Sequence, residues 1–171
     1  MAKLWQKFYS FNSLIEEFTV GLDFELDKEL VVADCLGSIA QARMLKTIGI
    51  ITEQESNGLE AELRAITREG EEGGFEILRE DEDCHTAIEN RLTEKLGESG
   101  KKIHTGRSRN DQVLTALRIY EREFLLELAR TAVAAVRALA DLADRNSGVP
   151  MPGRTHSQIA MPSSVGLWAA A

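Results

Sequence analysis

Cysteine is scarce: Cys35 and Cys84 are the two in 171 residues. They form no CxxC pair, which argues against a disulfide framework and suits two free thiols in a reducing cytosol. Positive charge is in deficit as well, with 20 Lys and Arg against 28 Asp and Glu and a net charge of −8. That argues against nucleic acid as the main partner, because neutralising phosphates needs a basic face. No stretch approaches the ~18 consecutive apolar residues of a membrane span. The opening MAKLWQKFYSF lacks the apolar run of a signal peptide, so a cytoplasmic protein is expected. The three histidines, His85, His104 and His156, lie far apart, and no HExxH or Cys/His spacing exists. No metal is therefore expected. A phosphate loop at Gly97 fails too. Lys95 stands where its leading glycine should be, Lys102 where Ser or Thr should follow Lys101, and a helix precedes it instead of a strand.

Hydrophobic residues make up 43% of the chain, enough for a sizeable core in one domain or a small pair. Residues 1–12 read as an aromatic arm holding Trp5, Phe8, Tyr9 and Phe11, and a short helix is expected from Leu14 to Phe18. Asp23 or Asp27 is the expected cap of the next segment. Over 26–48 the apolar residues recur at three- and four-residue steps, a helix ended by Gly49. Thr52 and Glu55 form a capping box for a helix stopping near Gly70, and residues 69–72 read as a solvated acidic turn. A further helix spans 82–96, with His85, Ile88, Glu89 and Leu92 on one face; residues 97–106 read as a polar loop. The longest helix spans 109–146, with a stripe of Leu114, Leu117, Tyr120, Phe124, Leu128, Ala132, Val136, Leu139 and Ala143. Apolar side chains spread beyond that stripe, so the helix needs several partners, as in a bundle. Residues 148–162 hold all three prolines and read as a loop, and Ser163 or Ser164 starts a last helix that looks cut. Met44, Phe124 and Trp168 are expected in the core. No repeat and no strand is read, so the fold class is all-α.

Residues 101–112, KKIHTGRSRNDQ, hold the densest chemistry. Ser108 with Asp111 three residues on reads as a capping box, which places Arg107, Ser108, Arg109 and Asn110 at a helix N-terminus. Free N–H groups and the positive end of the helix dipole suit an anion there, and two arginines add bidentate carboxylate recognition. Two readings fit these residues: a pocket for a carboxylate-bearing substrate, or a solvated polar cap. His85, among Glu80, Asp81, Glu82 and Asp83, reads locally as a surface histidine. His156, beside Arg154 and Thr155 in the Pro/Gly stretch, suits either proton transfer near neutral pH or an ordinary loop.

Three segments carry a resemblance. They are Thr105-Gly-Arg-Ser-Arg-Asn-Asp-Gln112, Glu82-Asp-x-His85-x-x-Ile-Glu89, and Pro152-Gly-x-Thr155-His156-x-Gln158-x-Ala160-x-Pro162. With Asp34-x-x-Gly37-Ser38-x-Ala40, they resemble the N-terminal part of argininosuccinate lyase, a family of the fumarase/aspartase superfamily. The resemblance implies an all-α N-terminal domain over residues 1–107, followed over 108–171 by the first part of a central long-helix bundle. It implies cofactor-free cleavage of argininosuccinate to arginine and fumarate, the last step of arginine biosynthesis, in a homotetramer whose active sites draw on three subunits. Ser108, Arg109, Asn110, Thr155, His85 and Gln158 are then the expected substrate-binding residues and His156 the expected acid/base or orienting residue. His104 and the nearby lysines match less closely. The sequence departs from the family at Gln41, where a histidine is usual, at Arg154, where a tyrosine is usual, and in the shortened motif Trp5-Gln-Lys-Phe8. The family's Gly-Ser-Ser-x-x-Met-Pro loop, which carries the serine base, is absent from these 171 residues. They are therefore expected to be inactive alone.

Overall fold

Apolar residues at helical spacing, punctuated by polar caps and glycines, produce a helical chain. The computed structural model describes residues 18 and 21–171. The aromatic arm and most of the short helix expected before Phe18 lie outside the described residues. Among those described, helices α1 (Asp23–Leu26), α2 (Val31–Thr47), α3 (Glu53–Glu71), α4 (Cys84–Leu96), α5 (Glu98–Lys101) and α6 (Arg109–Arg145) follow in order. Strands β1 (Pro150–Thr155) and β2 (Gln158–Ser164) and helix α7 (Val165–Ala170) complete the chain. By contact density the chain divides into two units, Met1–Glu121 and Arg122–Ala171.

The first unit holds the main core. α2, α3 and α4 meet through Leu45, Leu59, Leu63, Ile66, Ile88 and Leu92, and Ile103 closes the cluster. Burying each such side chain contributes about 1.5–3 kcal/mol. α3 starts as its sequence dictates: the Thr52 hydroxyl accepts the Glu55 N–H at 3.2 Å, and the Glu55 carboxylate accepts the Thr52 N–H at 2.8 Å.

Several expectations need correction. The segment expected as one helix from 26 is broken by a 3-10 turn over Asp27–Leu30, and α2 begins only at Val31. Neither aspartate caps a helix start there, because Leu22, Leu26 and Leu30 stand before α1, the 3-10 turn and α2, none with a side-chain cap; Asp27 instead accepts the Cys84 N–H at 3.2 Å, 57 residues away. Glu82 adopts a positive φ of 72°, so α4 starts two residues late, capped by Asp83, which accepts the Thr86 N–H at 2.7 Å. The polar stretch 97–106 is mostly helical, with α5 followed by a 3-10 turn over Lys102–His104. It is tied down at both ends. A Cβ on Gly100 would come within 2.3 Å of the Leu92 carbonyl oxygen, and Ile103 is buried. Glu69 lies inside α3 and pairs with Arg91 at 3.0 Å, so it is not part of a solvated turn.

In the second unit, residues 148–162 are not a loop. β1 and β2 pair antiparallel in the register Met151 with Ser163, Arg154 with Ile159 and Thr155 with Gln158, with an irregularity between Pro152 and Arg154. The two-residue turn is His156 and Ser157, at φ 50° and 63°. Both signs fit a type I′ turn, whose usual Asn-Gly signature is missing, and the prolines mask the strands further. Ser164 caps α7 as expected, accepting the Leu167 N–H at 3.0 Å. Of the side chains expected in the core, Met44, Phe124 and Trp168 are 41%, 57% and 65% exposed.

Candidate substrate site at the long-helix N-terminus

The start of α6 is built by two reciprocal contacts. The Ser108 hydroxyl accepts the Asn110 N–H at 3.2 Å, and the Asp111 carboxylate accepts the Ser108 N–H at 3.0 Å. Ser108 therefore caps the second helical residue, one position earlier than a full capping box requires. The first-turn N–H groups of Arg109 and Asp111 have no helical acceptor and suit an anion. Ser108 and Asn110 are exposed, and Arg109 is partly so.

Beside this turn lies a cavity of about 720 Å³, lined by residues that include Asp83, Thr86, Glu89, Lys101, His104 and Arg109. Arg109 donates to the Thr86 hydroxyl at 3.3 Å, and its guanidinium nitrogens stand 3.9 Å from both Asp83 and Glu89. Its buried Nη1 has no hydrogen-bond partner among the described residues. A planar, permanently charged group held this loosely can still take a carboxylate. His104 Nδ1 lies 3.0 Å from Glu89 Oε1, close enough for ion pairing but outside hydrogen-bond alignment.

The basic character expected of residues 101–109 is largely neutralised. Lys101 pairs with Glu98 and Lys102 with Glu55. Arg107 turns inward, donating to the Ser38 hydroxyl at 3.1 Å. Burial pushes its pKa down, against the opposing pull of Asp34 and Glu89. Only one of the two arginines thus faces the cavity.

His85 is not at the surface. It is 2% exposed, with Nδ1 3.0 Å from Asp34 Oδ2. The acidic run before it belongs to the turn and the Asp83 cap, while the helix period carries His85 inward. Asp34 also accepts two hydrogen bonds from Gln112 Nε2, at 2.9 and 2.8 Å. Gln41 Nε2 donates to the Thr105 carbonyl at 2.9 Å, tying α2 to the segment before the turn.

The first unit therefore holds Ser108, Arg109, Asn110 and, beneath them, His85. Thr155, His156 and Gln158 sit at the hairpin tip in the second unit, all exposed. The sequence reading passed over the roles of Gln112, Glu89 and Thr86. A polar side chain on an otherwise apolar helical face, such as Glu89 four residues after His85, is the signal that marks such positions.

A family model described as "Lyase" matches residues 11–171. The argininosuccinate lyase of Sorangium cellulosum (strain So ce56) is 47% identical over 168 residues, covering 98% of this chain and 39% of that protein. That of Thermotoga neapolitana is 44% identical over 169 residues, covering 99% and 42%. That of Bacteroides thetaiotaomicron is 48% identical over 166 residues, covering 97% and 37%. Among solved structures, a fumarate lyase from Mesorhizobium sp. BNC1 superposes with a TM-score of 0.60 at 25% identity, covering 95% of this chain and 38% of that one. The chain spans about two fifths of the length of the curated relatives it matches.

Proposed function

We propose that this chain, which belongs to the lyase family of the fumarase/aspartase superfamily, is the N-terminal part of an argininosuccinate lyase. The observation that carries the reading is the TGRSRNDQ segment, seated at a helix N-terminus beside a cavity with Arg109 on its wall. The reaction removes a proton from the carbon next to a carboxylate and breaks the bond to the guanidinium nitrogen, leaving fumarate and arginine. Negative charge builds on that carboxylate as the proton leaves. Preorganised donors at a helix start stabilise such charge without reorganising. Ser108, Arg109 and Asn110 bind substrate carboxylates, Gln158 and Thr155 contact substrate, and His156 holds or moves a proton. His85 supports this site from beneath. Neither a metal nor an organic cofactor is needed for this elimination.

The parent enzyme is a cytoplasmic homotetramer in this reading. Its support is α6, whose residues 121–141 are all exposed although Phe124, Leu128, Val136 and Leu139 are large and apolar. Such a helix suits a bundle completed by other subunits. The test is product analysis on the complete polypeptide supplied with argininosuccinate. Arginine and fumarate in equal amounts are expected. Fumarate released from adenylosuccinate or aspartate instead would assign a different lyase of the superfamily. The 171 residues alone are expected to show no turnover, and fumarate release from them would overturn the dependence on the serine loop.

A further inference from the structure

We propose that Asp34 is a positioning residue that holds both ends of the segment 108–111 and sets the hydrogen-bonding state of His85. Asp34 is 1% exposed in the first turn of α2. A carboxylate buried to that degree is tolerated only when its acceptor positions are filled. The donors that fill them come from different parts of the fold. Gln112 on α6 gives two hydrogen bonds, His85 on α4 stands at 3.0 Å, and Ser38 on α2 stands at 3.4 Å. Ser38 in turn accepts from Arg107. Arg107 and Gln112 are the residues that bracket 108–111, so one buried carboxylate anchors the turn on both sides.

The same contact constrains His85. Asp34 offers only acceptors, so Nδ1 of His85 carries its proton toward Asp34, which leaves Nε2 as the unprotonated nitrogen of the neutral ring. The assignment of 108–110 as a substrate-binding segment rests on the proposed function; the anchoring itself does not.

The test uses the isotopically labelled 171-residue chain and fumarate as probe. In the unsubstituted protein, long-range nitrogen–proton NMR correlations should place a proton on Nδ1 of His85. A neutral ring protonated on Nε2 alone would overturn the proposal. In Asp34→Asn, the Ser108 and Asn110 amide resonances should shift and broaden, and fumarate should bind about tenfold more weakly, as expected when a charge-assisted anchor is lost. Ile66→Val, a core lesion away from the cluster, should leave both readouts unchanged. If Asp34→Asn lowers the melting temperature but moves neither the amides nor the His85 ring, Asp34 is only structural and the proposal fails. Should that variant not fold, Gln112→Met removes the same donor and reads the same amides. If the unsubstituted chain binds no fumarate, binding needs the other subunits and the ring and amide measurements alone decide the role of Asp34, while the product analysis on the complete polypeptide decides the proposed function.

Discussion

Helices α3 and α6 carry apolar side chains at the same period, yet they end in opposite surroundings. Leu59, Leu63 and Ile66 of α3 are 0% exposed, whereas Phe124, Leu128 and Val136 of α6 are 57%, 52% and 65% exposed. The difference is one of partners. α3 is capped at its start and lies between α2 and α4, so its stripe is covered at once. The exposed part of α6 belongs to a unit whose buried residues are few: Gly166 and Ala169, where α7 closes on the end of α6. Periodicity therefore states which face needs covering, and the supply of partners states whether it is covered.

The comparison breaks most sharply under large-to-small substitution. Leu63→Ala should cost about 2–5 kcal/mol in urea melts of this chain, through lost burial and the cavity left behind. Leu128→Ala should stay within about 0.5 kcal/mol under the same conditions. An equal loss in both would mean that α6 is already packed in solution. Backbone contacts sharpen the comparison at the next level. A Cβ on Gly100 would meet the Leu92 carbonyl oxygen at 2.3 Å, and one on Gly166 would meet Ser147 Cα at 2.6 Å and the Ala143 carbonyl oxygen at 2.9 Å. Gly100→Ala and Gly166→Ala should each cost about 1–3 kcal/mol. Hydrogen exchange should show the first loosening α4 and α5, and the second loosening only the hairpin and α7.

The smallest effect is electrostatic and belongs to the first unit. The Lys102 ammonium, followed by the Thr52 N–H, holds the Glu55 carboxyl at about 2, below its ordinary 4.5. Because the folded pKa is the lower one, the contribution of Glu55 is complete above 4.5 and is lost as pH falls toward 2. Glu55→Gln should therefore be less stable than the unsubstituted chain at neutral pH. The gap should close on acidification through that window, as read by urea melts.

The site divides along similar lines. That Ser108 opens a helix was legible, since its hydroxyl and Asp111 act within three residues. That Arg107 would turn away from solvent was not, because its partner Ser38 lies 69 residues earlier. His85 looked like a surface residue for the same reason: its acidic neighbours in the chain are visible, and Asp34 is 51 residues away. The hairpin at His156 escaped because its turn takes positive φ at two residues with side chains. Local composition gives no warning of that choice.

By itself, then, the sequence determined the helix boundaries at Thr52 and Gly97, the start of the last helix to within Ser163 or Ser164, the helical class and the lyase family. Those features rest on hydrogen bonds closed within about four residues or on motifs legible as strings. Only the tertiary structure decided that Asp34, His85 and Gln112 share one buried cluster, that most of the basic segment is neutralised, and that much of α6 stands uncovered. Each of these depends on which distant group arrives to satisfy a polar or apolar surface, and packing alone chooses among the candidates.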